Sequence, residues 1–267
     1  MRENEREEAI KGQAVEDYLD ARRQVLPGHR AAQRQAQFQE RAFLLLLPSA
    51  ICYPVRGKGL FVLIAGAMFF WVMGLLGQYS LLGALVKIAV FGYLCSYLFN
   101  VIGQTATGDD EPPDWPDLSR MYDDILCPIG RMVSALVVSL LPLIILAVLA
   151  IEQIYAGYWT FWVAAGAGLF YLPMALTSMA VHDSVGGLNP AVVLPAIGKT
   201  LCGYLVAVGA LALSLVAGYY LEAFLAGLVP VLGSLLAGAA SLYFLILQGR
   251  LLGLLYLNYR SRLDWVV

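Results

Sequence analysis

Beyond residue 41 the chain runs as long apolar stretches separated by short polar breaks. The pattern predicts six spans, at about 59–77, 80–102, 132–151, 158–180, 201–220 and 230–249. Each is close to the ~20 apolar residues a helix needs to cross a hydrocarbon core. Within lipid every backbone group needs a partner on its own segment, so the runs read as helices rather than strands. The breaks pair them as three hairpins. The first turn is the tight Gly77-Gln78-Tyr79-Ser80, the second runs from Glu152 to Tyr158, and the third, Leu221 to Val229, is itself apolar.

A shorter segment precedes each hairpin: residues 42–55, 117–131 and 189–199. The first is apolar but too short to span, which marks it as interfacial or re-entrant, and Pro48 and Pro54 fit a bend. The second sets Leu118, Met121, Tyr122, Ile125 and Ile129 against Asp117, Arg120, Asp123 and Asp124. The third opens on Asn189-Pro190, an N-cap followed by Pro at the first helical position. Each ends in Pro, Gly and a basic residue: Pro54-Val55-Arg56-Gly57-Lys58, Pro128-Ile129-Gly130-Arg131 and Pro195-Ala196-Ile197-Gly198-Lys199. The prolines are 74 and 67 residues apart, the spacing of a repeated unit. Pro and Gly permit a corner there, and the basic side chain holds it at the headgroups. The expected fold is an all-α integral membrane protein: six transmembrane helices as three hairpin repeats, each preceded by an interfacial amphipathic helix.

Composition agrees. Soluble domains are ~45–50% apolar and ~25% charged, whereas this chain is 60% hydrophobic and 13% charged, with a mean hydropathy of +0.72. Residues 1–41 carry eight basic and eight acidic side chains, against nine and eleven in the other 226. A charged, helical tail (1–41) therefore precedes the membrane domain (42–267). The tail's amphipathic stretch 3–25 is broken at Pro27-Gly28, and helical composition resumes over 31–41. The first 40 residues hold no signal-peptide h-region. Outside the tail, Arg56, Lys58, Arg120, Arg131, Lys199, Arg250, Arg260 and Arg262 share the side of the termini and long loops. The three hairpin turns carry no Lys or Arg. The positive-inside rule then places both termini in the cytoplasm, in a bacterial inner membrane. Two aromatic belts are expected: Tyr79, Tyr155, Tyr158, Trp159, Tyr219 and Tyr220 outside; Tyr53, Trp115, Tyr122, Tyr256, Tyr259 and Trp265 inside.

Candidate chemistry is sparse. Lys87 lies inside a span, where an ionisable group is a functional candidate, though it is near enough to the outer end to snorkel or to pair with Glu152 or Glu222. Asn100, in the inner half of the same span, suits an interhelical hydrogen bond or a polar path. The loop Asp109-Asp110-Glu111-Pro112-Pro113-Asp114-Trp115 opens a run of seven acids in sixteen residues. It lacks the spacing of a calcium loop. His182-Asp183-Ser184 has triad residue types but no nucleophile elbow, and Asp183 and Asn189 fit caps where a helix leaves the membrane. Cys52, Cys95, Cys127 and Cys202 show no metal or disulfide spacing. No Walker, HExxH or Rossmann motif occurs, so no cofactor, metal or catalytic activity is expected. A net charge of −2 without a basic stripe argues against a nucleic-acid partner. Gly203-Ala207, Gly233-Ala237-Ser241 and the run Ala164 to Gly168 offer close helix packing, internal or between copies.

Residues 42–267 resemble the prokaryotic membrane family called domain of unknown function 4013. The likeness rests on Tyr53-Pro54-Val55-Arg56-Gly57-Lys58-Gly59-Leu60, Gly108-Asp109-Asp110-Glu111-Pro112-Pro113-Asp114-Trp115 and Asp183-Ser184-Val185-Gly186-Gly187-Leu188-Asn189-Pro190. More remotely the layout is similar to Yip-type membrane proteins, which act through partners. The resemblance implies a multi-pass protein without defined catalytic residues. The expected function is a non-enzymatic scaffold or accessory subunit that meets the bilayer and other membrane or cytoplasmic subunits. The alternative is a small-molecule or lipid transporter or channel, which interrupted helices such as those holding Pro142 and Pro173 would serve.

Overall fold

The computed structural model describes residues 43, 45–76, 80–113, 122–151, 157–228, 230–263 and 265. The expectations for residues 1–41, 114–121, 77–79 and 152–156 lie outside the described residues, Asp114 and Trp115 among them. By contacts the chain divides into two units, 1–44 and 45–267. The helical bundle is the second of these.

Every regular element of that unit is helical among the described residues: α1 (Leu45–Val55, closing in a 3₁₀ turn), α2 (Gly59–Leu76), α3 (Ser80–Thr107), a π turn (Tyr122–Leu126), α4 (Cys127–Ile151), α5 (Tyr158–His182), a 3₁₀ turn (Val185–Leu188), α6 (Pro190–Lys199), α7 (Leu201–Ala226) and α8 (Pro230–Leu263). Five of them, α3, α4, α5, α7 and α8, are long and apolar enough to cross a membrane; α1 and α2, bent by 56° at their junction, make a sixth if counted together. The chain is a multi-pass membrane protein by helix length and composition.

Apart from that of α4, the starts of the apolar runs were well marked in the sequence, and several of the ends were not. α3, α7 and α8 continue to Thr107, Ala226 and Leu263, past the expected 102, 220 and 249, because a helix does not stop where it leaves an apolar environment. α4 begins at Cys127 rather than 132, running straight on from the π turn. Asn189 caps α6 as expected: its Oδ1 accepts from the Ala191 N–H at 3.0 Å.

The centre of the bundle is α8, which packs against α7, α3 and α2. α4 and α5 form a close hairpin, as do α7 and α8, whereas α2 and α3 lean on α8 more than on each other. In lipid, helix association relies on close backbone approach rather than on expelling water. Here that approach uses glycine. A Cβ on Gly168 of α5 would strike the Ser139 carbonyl of α4, and Gly249 and Gly253 of α8 lie against Val101 and Thr105 of α3. The Gly249-xxx-Gly253 spacing was not among the sequence candidates. Gly203 and Ala207 are buried, with Gly203 against Tyr259, so that pair packs internally.

One expectation is corrected. Tyr158, Trp159, Tyr219 and Tyr220 are exposed at the turn end, as a belt requires, but Tyr53, Tyr256 and Tyr259 are buried to within 2%. They pack in the core of the opposite end: Tyr53 under Arg250, Tyr256 stacked on Trp265 and Tyr259 against Gly203.

Candidate functional site

The polar groups collect at the end of the bundle where α3 and α5 stop, here called the loop end. α3 closes on Gly108, whose φ of +98° is a left-handed cap that favours glycine. The Gly108 and Asp109 N–H groups donate back to the Thr105 and Gln104 carbonyls at 3.1 Å each. The chain then folds back along α3. The Tyr53 hydroxyl donates to the Glu111 carbonyl at 3.0 Å, and the Tyr97 hydroxyl reaches the Pro113 carbonyl at 3.5 Å. Pro112 and Pro113 are buried, while Asp109, Asp110 and Glu111 face out.

Arg250 of α8 grips this loop from inside. Its Nη1 donates to the Asp109 carbonyl and its Nη2 to Asp110 Oδ1, both at 2.5 Å. The guanidinium lies 4.3 Å from the centroid of the Tyr53 ring. A buried charge is tolerated only where it is paired and hydrogen-bonded, and here the α1–α2 corner, the end of α3 and the acidic Pro-rich loop all converge on one cation. Among the described residues, Nε has no partner.

The second loop is built alike. α5 closes on Asp183 in the left-handed region, φ 46°, which Asp tolerates better than most residues. Ser184 Oγ accepts from the Gly186 N–H at 3.0 Å, and the Tyr171 hydroxyl donates to the Leu188 carbonyl at 2.6 Å. Arg131 of α4 donates from Nη1 to Asp183 Oδ1 at 2.5 Å and from Nη2 to the Asp183 carbonyl at 2.9 Å. Tyr97 and Tyr171 are 74 residues apart, as are Pro54 and Pro128. In both loops an arginine holds one backbone carbonyl and one carboxylate at a helix end, but α8 supplies the first and α4 the second.

Between α3, α4 and α5 lies a cleft of about 570 Å³ lined by Ser96, Phe99, Asn100, Gly103, Gln104, Cys127, Pro128, Arg131, Ala180 and Asp183. Ser96, Asn100 and Gln104 recur every four residues, one face of α3. Their side-chain polar groups make no hydrogen bond among the described residues. The cleft thus presents three unpaired neutral polar groups on one wall and an ion pair on the other. A second gap, about 220 Å³, lies between α2 and α3 and is apolar, with Phe69, Val90 and Ile125 among its lining.

The structure therefore brings Asn100 and Asp183 to one cleft and places Glu111, Pro112 and Pro113 in the Arg250-held loop, with Asn189 capping α6. Lys87 joins none of them. It is exposed and, among the described residues, unpaired with Glu222. It lies thirteen residues from Asn100, about 20 Å along the helix at 1.5 Å per residue. His182, Asp183 and Ser184 face different partners: His182 Nδ1 lies 2.8 Å from the Ser178 carbonyl, Asp183 meets Arg131, and Ser184 meets Gly186. Among the described residues no three His, Cys, Asp or Glu side chains converge as a metal site does. Sequence reading missed Arg250 and Arg131 as site residues, treating them as markers of orientation. The available signal was Arg250's setting, with apolar residues or glycine at every position from 251 to 257. The four-residue recurrence of Ser96, Asn100 and Gln104 was legible too. No family model matches the chain, and no curated protein or solved structure matches it.

Proposed function

We propose that residues 42–267 form a non-enzymatic multi-pass protein of a bacterial inner membrane that works by binding partner subunits at its loop end, with both termini cytoplasmic. The single observation that carries this reading is the pair of arginine-held loops. Each loop spends a buried or half-buried guanidinium on fixing shape at the end of the bundle, and leaves outward-facing groups (Asp110, Glu111, Val185) on a pre-set backbone. Preorganised surfaces lose less entropy on binding. The three-hairpin repeat, with a helix before each hairpin, belongs to the same proposal. It is supported by the parallel construction of the two loops and by the capped α6. The resemblance to the domain of unknown function 4013 family is retained as part of the proposal. The test is co-purification from membranes in several mild detergents, wild type against Asp110→Ala/Glu111→Ala. The reading expects defined protein partners that the variant loses, and a lone chain in every detergent counts against it.

A second reading, small-molecule or lipid handling, is favoured by the polar cleft. It predicts a ligand held beside Asn100 rather than a protein at Glu111.

A further inference from the structure

Three features of the cleft bear on what it accepts. First, among the described residues its only charges are Arg131 and Asp183, already paired with each other, so the described lining is neutral. A lone anion or a lone cation entering it would lose hydration without meeting a net opposite charge. Second, the pair is not exhausted. A guanidinium carries five N–H donors, of which Arg131 uses two among the described residues, and Asp183 offers Oδ2 on a side chain that is 85% exposed. One sign therefore lies half-buried at the wall and the other at the rim. Third, Ser96, Asn100 and Gln104 supply donors and acceptors that are unpaired among the described residues, opposite the pair. The volume of about 570 Å³ lies within the ~300–1,000 Å³ of small-molecule sites.

We propose that this cleft binds a zwitterion carrying an anionic oxygen group and an ammonium a few bonds apart, the chemistry of a phosphoethanolamine headgroup. The anionic oxygens meet the free N–H groups of Arg131 and the amides of Asn100 and Gln104, and the ammonium meets Asp183. The proposal rests on reading the cleft as a ligand site and leaves protein binding at Glu111 untouched. The same chemistry occurs in a membrane lipid and in a free water-soluble headgroup.

Cys127 lines the cleft and serves as the reporter. Cys52→Ser/Cys202→Ser removes the two exposed thiols, and Cys95 is buried. The full chain is reconstituted in vesicles of phosphatidylglycerol alone, in phosphatidylglycerol with phosphatidylethanolamine, and in phosphatidylglycerol with soluble glycerophosphoethanolamine. The rate of maleimide labelling of Cys127 is then measured. Occupancy protects by one plus the ratio of ligand concentration to Kd, so ethanolamine lipid at about four times its Kd is expected to slow labelling about fivefold. Protection by glycerophosphoethanolamine as well identifies the free headgroup as sufficient, and protection by the lipid alone shows that acyl chains are needed; either outcome supports the site. Asn100→Ala and Gln104→Ala both leave the Arg131–Asp183 pair in place and each should abolish protection, whereas Lys87→Ala should retain it. Equal labelling under all three conditions overturns the proposal, and so does protection that survives both cleft variants. Loss of a protein partner from the Asp110→Ala/Glu111→Ala chain is read separately, so either reading fails on its own.

Discussion

Arg250→Met tests whether the buried guanidinium holds the acidic loop. The substitution keeps an unbranched apolar stem and removes two short charge-assisted hydrogen bonds, to the Asp109 carbonyl and Asp110 Oδ1, and a longer one to Thr105 Oγ1 at 3.4 Å. Such bonds are worth about 1.5–3 kcal/mol each, and the contact with the Tyr53 ring adds about 0.5–2 kcal/mol. Two terms oppose the loss. The Arg250 side chain is 6% exposed, so removing it relieves a desolvation cost of several kcal/mol by rough estimate. The unpartnered Nε is relieved with it, at about 1–3 kcal/mol. Asp110, in contrast, is 70% exposed, so water takes over its carboxylate and little penalty is left behind. The losses and the relieved costs are of similar size, so the global change is small and the effect is concentrated in the loop. Arg250→Lys keeps the charge but not the two-pronged geometry and should fall about halfway. Denaturant titration in mixed micelles gives the global figure, and hydrogen exchange at the amides of residues 109–111 gives the local one. If Arg250→Met matches wild type within ~0.5 kcal/mol and leaves that exchange unchanged, the arginine is not what fixes the loop.

Other outcomes rest on the same packing. Gly168→Val places a side chain against the Ser139 carbonyl and should part α4 from α5 at about 1–3 kcal/mol, read by the same titration. Asn189→Ala removes the α6 cap and should lose about 1 kcal/mol, with exchange rising at the Ala191 amide first. Lys87→Ala touches no partner among the described residues and should stay within ~0.5 kcal/mol of wild type.

The sequence showed which segments are helical and, α4 apart, where each begins, because apolar length and turn residues are local properties. It did not show which helices touch. The three hairpins suggested three equal pairs, yet α8 occupies the centre and α2 and α3 both lean on it. That choice is made by small residues meeting across helices, such as Gly249 and Gly253 against Val101 and Thr105. Tyr53, Tyr256 and Tyr259 looked like interface aromatics because their types and spacing suit a belt, but burial is decided by neighbours that come from elsewhere in the chain. The same holds for the site. Asn100 and Asp183 were individually visible, while their meeting across one cleft depends on α3, α4 and α5 closing together. Arg250 was assigned to the headgroups by the positive-inside rule, which counts charges and does not register that an arginine can turn inward to a loop carbonyl.

The central claim is that the loop end recognises a protein. A photo-crosslinking amino acid placed at Glu111 or at Val185, both exposed there, is compared in intact membranes with one at Leu213, which is 71% exposed on α7. The account predicts discrete protein adducts from Glu111 and Val185 and none from Leu213. Adducts absent from both loop positions, or equally abundant at Leu213, would contradict it.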